Sequence, residues 1–240
     1  MCVAQVDAIS GGIVSSGWDD TIRHGDGVTA TGAAGLGGQP KCSGSSGDLV
    51  VVATGTDLVC FEGDGVKGTT PIEFCATAIA VSKGSDMVVV ADDKNKIHVF
   101  SASGGALTKV SEVLGHTGIV YSLAFSPNGE SLAAGDVKEV RVWNVADWSA
   151  EIKGKWQFHT SRITGVAWSA DGKYIASCSG DEQVFIWWPE KKLRRLNYKF
   201  AHKGGCAGID WIGEGKLVTS GNDGSVCEWD VSADMAEKFK

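Results

Sequence analysis

The sequence contains little proline, no excess of basic residues and no long hydrophobic run. Four prolines and 33 glycines among 240 residues favour many short strands joined by glycine turns. The formal net charge is −7 and the isoelectric point is about 5.2. A nucleic-acid-binding domain is usually basic, so we expect no nucleic-acid partner. No apolar run approaches the ~20 residues that span a bilayer, so we expect no membrane insertion.

Cysteine pairs with metal-ligand spacing are also missing. The seven cysteines include no Cys-x-x-Cys, and most of them lie inside apolar runs, which favours buried free thiols over disulfides or zinc ligands. They are residues 2, 42, 60, 75, 178, 206 and 227. The first ten residues lack a basic region followed by a long apolar core, so no signal peptide is visible and a cytoplasmic protein is expected.

The motifs of common enzyme classes do not occur either. The sequence has no G-x-x-x-x-G-K-[ST], no H-E-x-x-H and no G-x-S-x-G. Its acidic pairs, Asp19-Asp20 and Asp92-Asp93, fall in predicted tight turns, where a structural or solvated role is favoured over metal binding. We therefore expect a protein that is not an enzyme and that has no cofactor and no metal site.

The sequence does contain a repeat of strand-length apolar segments separated by polar turns. The clearest copy runs from Trp156 to Trp188 and holds three such segments. Its His and Trp recur at a spacing of 42 to 44 residues, as His116, His159 and His202 and as Trp143, Trp187 and Trp229. A period of ~40–45 residues that carries four strands is the signature of a WD40 β-propeller, which is an all-β fold.

Six repeat units are visible, and we predict one propeller domain over residues 1–240. The units span approximately residues 1–34, 41–70, 74–112, 116–155, 159–200 and 202–240. Sheets with two apolar faces must stack until the ring closes. A six-unit ring and a part of a seven-bladed ring are both compatible with this pattern, and we favour the second because the first unit starts directly at its first strand.

Two segments do not follow the regular repeat pattern. The Gly-, Ser- and Ala-rich segment 29–47 is predicted to be a long, flexible connection between the first two units. The C-terminal segment SADMAEKFK is expected to be a last strand or a frayed tail, and no helix of useful length is expected.

Polar residues repeat at matching positions and resemble a catalytic triad. One set is His159, Ser177, Asp181 and Trp187, and the next unit repeats it as His202, Thr219, Asp223 and Trp229. An active site needs to occur once, so the repetition favours a structural hydrogen-bonded set inside each blade. The unit around Trp143 has Ala133 and Val137 at the equivalent positions, with Asp136 displaced by one. We expect that blade to depend more on packing.

The run Lys191-Lys192-Leu193-Arg194-Arg195 is a basic cluster in an otherwise acidic chain. It falls after Trp187-Trp188-Pro189, in the link to a fourth strand. Charges at such a place protect a strand edge from pairing, and a solvated loop is one interpretation. The other interpretation is a surface for an acidic partner.

The sequence resembles the C-terminal propeller of the actin-interacting protein 1 (WD-repeat protein 1) family over nearly its whole length. The resemblance is carried by 115–117 (GHT) with 120–127 (VYSLAFSP), 156–162 (WQFHTSR) with 167–169 (AWS), and 201–205 (AHKGG) with 210–211 (DW). It implies binding to actin filaments and to cofilin (ADF), promotion of filament disassembly, and a place in the actin cytoskeleton. Family members carry two seven-bladed propellers, so the chain is expected to be a fragment, a single domain or a shortened relative.

The resemblance also directs attention to loops at one rim of the ring. We expect partner contacts from residues that precede a first strand, Thr160, Arg162 and Lys203, and from a turn between second and third strands, Asp136 and Lys138. A general WD40 scaffold for another multiprotein complex is the alternative function.

Overall fold

The structure is a computed structural model that describes residues 3–9, 12–25, 30–63, 65–103 and 106–238. The chain divides into two compact units, residues 1–119 and 120–240. Within the described residues, no helix has the length and apolar character needed to cross a bilayer. The same residues bring no three His, Cys, Asp or Glu side chains together in an arrangement that could hold a metal ion.

The first unit consists of antiparallel sheets in which each strand pairs with the next in sequence. The first sheet contains β1 (Val3–Ile9), β2 (Gly12–Gly17), β3 (Thr21–Gly25) and β4 (Ala30–Gly35). The second contains β5 (Cys42–Ser46), β6 (Leu49–Ala53), β7 (Asp57–Glu62) and β8 (Gly65–Pro71). The third contains β9 (Ala76–Val81), β10 (Met87–Asp92), β11 (Ile97–Ser101) and β12 (Thr108–Val113).

The second unit continues the same meander. The fourth sheet contains β13 (Ser122–Phe125), β14 (Ser131–Gly135), β15 (Val140–Asn144) and β16 (Ala150–Ile152). The fifth contains β17 (Ile163–Trp168), β18 (Ile175–Ser179), β19 (Val184–Trp187) and β20 (Arg195–Tyr198). In the described part of the chain, the sixth contains β21 (Cys206–Gly213), β22 (Lys216–Gly221) and β23 (Val226–Asp230), followed by helix α1 (Ser232–Lys238).

Both faces of the inner strands are buried, because successive side chains point to opposite faces. In β6, Val50 and Val52 pack in a cluster with residues of the first sheet, whereas Val51 and Ala53 pack with residues of the third. The fifth sheet behaves in the same way, with Ile175 facing the fourth sheet and Ala176 the sixth. This stacking explains why these strands are continuous apolar runs. The six sheets of the described residues are blades of a WD40 β-propeller, as the repeat predicts.

The prediction of a flexible connection over residues 29–47 was wrong. Residue 29 lies outside the described residues, but β4 and β5 occupy much of the rest. A Cβ added at Gly44 would lie 3.0 Å from both Cγ2 and the carbonyl oxygen of Ile79. Small residues are therefore needed where β5 packs against β9, so the composition of this strand reflects close packing and not flexibility.

The expectation of a strand or frayed tail at the C-terminus was also wrong. Residues 232–238 form α1, and the backbone N–H of Met235 donates to the carbonyl oxygen of Val231 at 2.9 Å. The Tyr198 hydroxyl donates to Asp234 Oδ2 at 2.6 Å, which ties the helix to β20. A helix of seven residues, about two turns, gives little periodic signal, so sequence reasoning had no basis to find it.

Candidate functional site

The structure brings together the four residues of the clearest repeat unit. His159 Nδ1 lies 3.0 Å from Asp181 Oδ2, and His159 Nε2 lies 2.9 Å from Ser177 Oγ. Trp187 Nε1 donates to the same hydroxyl at 2.8 Å. These bonds connect the segment before β17, the turn after β18 and the end of β19, so one set of side chains joins three parts of the fifth sheet.

The sixth sheet repeats this arrangement with threonine in place of serine. His202 Nδ1 lies 3.2 Å from Asp223 Oδ1, and His202 Nε2 lies 2.7 Å from Thr219 Oγ1. Trp229 Nε1 donates to Thr219 Oγ1 at 2.8 Å. The His202 ring also lies 2.9 Å from Ser225 Oγ, a contact that sequence reasoning missed because the fifth sheet has Gln183 at that place.

The geometry suits a structural role better than nucleophilic catalysis. A neutral histidine with its proton on Nδ1 donates to the aspartate and accepts the hydroxyl proton at Nε2. The Ser177 oxygen accepts from Trp187 and is buried, so it has no open side toward a substrate. A nucleophile needs both access and a free lone pair directed at the reacting atom.

The aspartates of both sets are held in their charged form. Burial raises the pKa of Asp181, but hydrogen bonds from His159 and from the Thr160 backbone outweigh it and leave that pKa below its usual value. Hydrogen bonds from the Ser225 hydroxyl and backbone lower the pKa of Asp223. Ionised aspartates accept several donors at once, which fixes the corners of the sheets.

The hydrogen-bonded sets position the loops that the sequence marked as a rim. The backbone N–H of Thr160 donates to Asp181 Oδ2 at 2.8 Å, and that of Lys203 donates to Asp223 Oδ2 at 3.0 Å. The backbone N–H of Ile163 donates to the Asp136 carbonyl oxygen at 3.0 Å, which joins the corners of the fourth and fifth sheets. The predicted residues therefore lie at the same end of three consecutive sheets.

Four of the five predicted contact residues present exposed side chains, and we call them the rim surface. They are Lys138, Thr160, Arg162 and Lys203. Asp136 is different, because it is 2% exposed and its carboxylate accepts the backbone N–H groups of Lys138 and Glu139. It shapes the turn between β14 and β15 from inside, so its expected role as a partner contact is not supported.

The fourth sheet contains a buried ion pair that sequence reasoning missed. Arg141 Nε and Nη2 both lie 2.9 Å from Glu139 Oε2, and both residues are buried. Gln157 donates to the same carboxylate at 3.2 Å, and the backbone N–H of Gly154 donates to its other oxygen. The expectation that this blade replaces polar bonds mainly by packing was therefore incomplete. Two charged residues that are two apart, one just before β15 and one within it, would ordinarily indicate an exposed strand face.

The third sheet of the first unit also has a buried His–Asp pair that was missed. His98 Nε2 lies 2.9 Å from Asp92 Oδ2, and the other oxygen of Asp92 accepts backbone N–H groups of Lys94 and Lys96. The ring of Phe74 stacks on His98 at 3.9 Å between centroids. The pair lies within one hairpin, whereas the repeat pattern directed attention to a histidine before the first strand.

The remaining predicted features have simple positions. Asp19 accepts from Thr21 and Arg23 at the turn before β3, so that acidic pair has a structural role. Cysteines 42, 60, 178 and 206 are buried, Cys227 is partly buried and Cys75 is exposed, and no disulfide joins any two of these six. Cys2 lies outside the described residues. The basic run 191–195 forms a loop at the end of the fifth sheet away from Asp181, since Trp187 pairs with Ile175.

Comparisons with known proteins agree with the repeat. The WD domain, G-beta repeat family model matches residues 107–144, 151–187 and 193–230. The chain is 32% identical over 239 residues to WD repeat-containing protein 1 of Rattus norvegicus, covering 93% of the chain and 38% of that protein. It is 28% identical over 233 residues to actin-interacting protein 1 of Caenorhabditis elegans, covering 92% and 38%.

A third relative extends the comparison beyond animals. The 66 kDa stress protein of Physarum polycephalum is 30% identical over 185 residues, which cover 77% of the chain and 31% of that protein. The chain thus spans about a third of the length of the curated relatives that it matches.

Proposed function

We propose, because the chain belongs to the actin-interacting protein 1 (WD repeat-containing protein 1) family, that it binds actin filaments together with cofilin and promotes their disassembly. The protein acts in this proposal without catalysis, as a β-propeller that uses a surface. Its place of action is the actin cytoskeleton of the cytoplasm. Binding of the propeller to a filament that carries cofilin weakens contacts between actin subunits or blocks filament ends.

The exposed cations of the rim surface support this proposal at the level of particular residues. Lys138, Arg162 and Lys203 are exposed, and none of them has a carboxylate within ion-pair distance among the described residues. Three unpaired cations at one end of three consecutive sheets present a local positive surface on an acidic chain. Actin is acidic, so this surface complements it in charge.

Cosedimentation with actin filaments, with and without cofilin, tests the proposal. We expect the chain to pellet with filaments, to pellet more strongly when cofilin is present, and to raise the amount of soluble actin. A chain that never pellets and never raises soluble actin would refute the proposal. Recovery of a defined protein complex from lysate without actin or cofilin would instead favour a general WD40 scaffold.

Charge reversal separates the rim surface from the rest of the molecule. Arg162→Glu and Lys203→Glu remove cations from the rim surface, and each is expected to weaken pelleting about tenfold. Lys83→Glu is the matched control, because it reverses an exposed cation in the turn between β9 and β10 that belongs to neither the rim surface nor the basic run 191–195. Equal loss in all three variants would mean that net charge, and not the rim surface, determines binding.

A further inference from the structure

The basic loop, residues 188–195, is held in a defined conformation by buried aromatic residues. Trp156 is buried, stacks on Trp187 at 4.8 Å between ring centroids, and donates its Nε1–H to the Lys192 carbonyl oxygen at 2.8 Å. Two consecutive turns follow, with Lys191 N–H donating to the Trp188 carbonyl at 3.1 Å and Arg194 N–H to the Lys191 carbonyl at 2.8 Å. A loop that only carries solvated charge needs no such anchor.

Aromatic rings orient the cations of this loop. Lys191 Nζ lies 4.3 Å from the ring centroid of Trp188, and Arg195 Cζ lies 3.5 Å from that of Phe158. Such contacts leave the other donors of each cation free to bind an anion. Neither Lys191 nor Arg195 has a carboxylate within ion-pair distance in the part of the chain that the structure describes.

An apolar side chain lies among these charges. Leu193 is 82% exposed and sits between Lys192 and Arg194, and Phe158, beneath Arg195, is 41% exposed. Protection of the β20 edge does not account for the arrangement, because residues 191–193 precede that strand and an exposed leucine does not discourage pairing. One exposed leucine is ordinary by itself, but here it accompanies Lys191 and Arg195, whose cations lie against aromatic rings.

We propose that the basic loop is a docking surface for an acidic segment of a protein partner, in which carboxylates meet Lys191 and Arg195 and an apolar residue packs on Leu193. Residues 190–199 hold five basic side chains and one acidic one in a chain of net charge −7. Complementary charge would steer the segment, and contact with the leucine would add apolar burial that salt does not screen. The surface is distinct from the rim surface, and the proposal does not rest on actin binding.

A protein segment fits this surface better than a membrane or a nucleic acid. The positive charge of this surface comes from one loop, whereas an anionic membrane or a nucleic acid would meet the acidic remainder of the chain as well. Guanidinium groups bind carboxylates through paired hydrogen bonds, and a single leucine buries too little area for stable attachment to a bilayer.

Fluorescence anisotropy on the full chain tests the proposal. The probe is a fluorescein-labelled peptide of aspartates and glutamates around one leucine, and its counterpart carries lysines in place of the acidic residues. We expect only the acidic peptide to bind, with an affinity that falls as salt is raised. Lys191→Glu should weaken binding about tenfold, and Leu193→Ser should weaken it about fivefold even at high salt.

Matched variants and a second ligand make the result decisive. Lys83→Glu reverses an exposed cation outside both surfaces and should leave peptide affinity unchanged, while circular dichroism should show that all variants keep the fold, since these side chains are exposed. Equal weakening by Lys83→Glu and Lys191→Glu would overturn the proposal, as would absence of binding to the acidic peptide. Stronger binding to phosphatidylserine vesicles than to the peptide would also overturn it. None of these results depends on whether the chain pellets with actin.

Discussion

At the scale of the residue, one buried hydroxyl links the core of a blade to its corner. Ser177 Oγ accepts the Nε1–H of Trp187 and is hydrogen-bonded to His159 Nε2, and His159 Nδ1 is hydrogen-bonded to Asp181. That aspartate in turn accepts the backbone N–H of Thr160. The exposed residues of the corner therefore depend on a chain of bonds that begins in the core, and a change at the hydroxyl should be felt at the surface.

We expect Ser177→Ala to lower the free energy of unfolding by about 2 to 3 kcal/mol, because it leaves Trp187 Nε1 and His159 Nε2 buried without a partner. Urea unfolding followed by tryptophan fluorescence measures the change. Ser149→Ala, at an exposed serine of the same unit, should change stability by less than about 0.5 kcal/mol. A similar loss in both variants would argue against the hydrogen-bonded set as the cause.

Two aspartates should influence acid stability with opposite signs. The pKa of Asp181 is lowered in the folded protein, so its contribution is present above the unfolded pKa and is lost as pH falls. Desolvation by neighbouring groups outweighs a bond from the Trp211 backbone and raises the pKa of Asp210, although the residue is exposed, so the stability that this carboxyl group contributes is lost as pH rises. Thermal melting between roughly pH 2 and 6 should therefore show a shallower acid loss for Asp181→Asn and a steeper one for Asp210→Asn. Parallel profiles for the two variants would contradict this assignment.

At the scale of the element, the first strands of neighbouring sheets meet through a glycine and an isoleucine. Gly44, the third residue of β5, faces Ile79 of β9, and Gly165, the third residue of β17, faces Ile209 of β21. In both pairs a Cβ on the glycine would lie 3.0 Å from the isoleucine Cγ2. The two units thus use the same small-to-large contact to bring inner strands close together.

Gly44→Ala is expected to destabilise the protein by about 1 to 3 kcal/mol, since the added methyl group meets the Ile79 backbone as well as its side chain. Gly55→Ala is the matched control in the same sheet, because its Cβ would meet no atom within 4 Å, and it should be neutral or slightly stabilising. Thermal unfolding compares the two. A stable Gly44→Ala variant would show that β5 can move away from β9.

Sequence reasoning found the elements whose chemistry repeats and missed those whose role depends on neighbours. The period of histidine and tryptophan predicted the sheets, because the hydrogen-bonded set requires those residue types at those positions. Segment 29–47 was misread because glycine and serine are typical of linkers and also of closely packed inner strands. The Glu139–Arg141 pair could not be found, since its burial depends on residues such as Gln157 that fold over it.

At the scale of the whole molecule, charge is distributed unevenly. The chain carries a net charge of −7, yet the rim surface and the basic loop of the fifth sheet present exposed cations. Salt screens both the repulsion between the acidic chain and an acidic partner and the attraction between that partner and these exposed cations. We expect filament binding by the chain to persist at moderate salt, while the Arg162→Glu variant regains part of its lost affinity as salt rises. Pelleting across a salt series measures this, and a further loss for the variant would contradict it.

The sequence repeat and the folded sheet are out of step by one strand. The family match at residues 193–230 begins with β20 and runs through β23, yet β20 completes the fifth sheet. A chain cut at residue 192, between repeats, would strip the outer strand from a blade that it leaves behind, whereas a cut at residue 200 would keep that blade whole. Both shortened chains lose the sixth sheet, so the difference between them comes from β20. The chain cut at residue 192 should therefore melt several degrees below the chain cut at residue 200. Insertion or loss of one sequence repeat in such a protein therefore alters two blades at once, because the repeat supplies the outer strand of one blade and the inner three strands of the next.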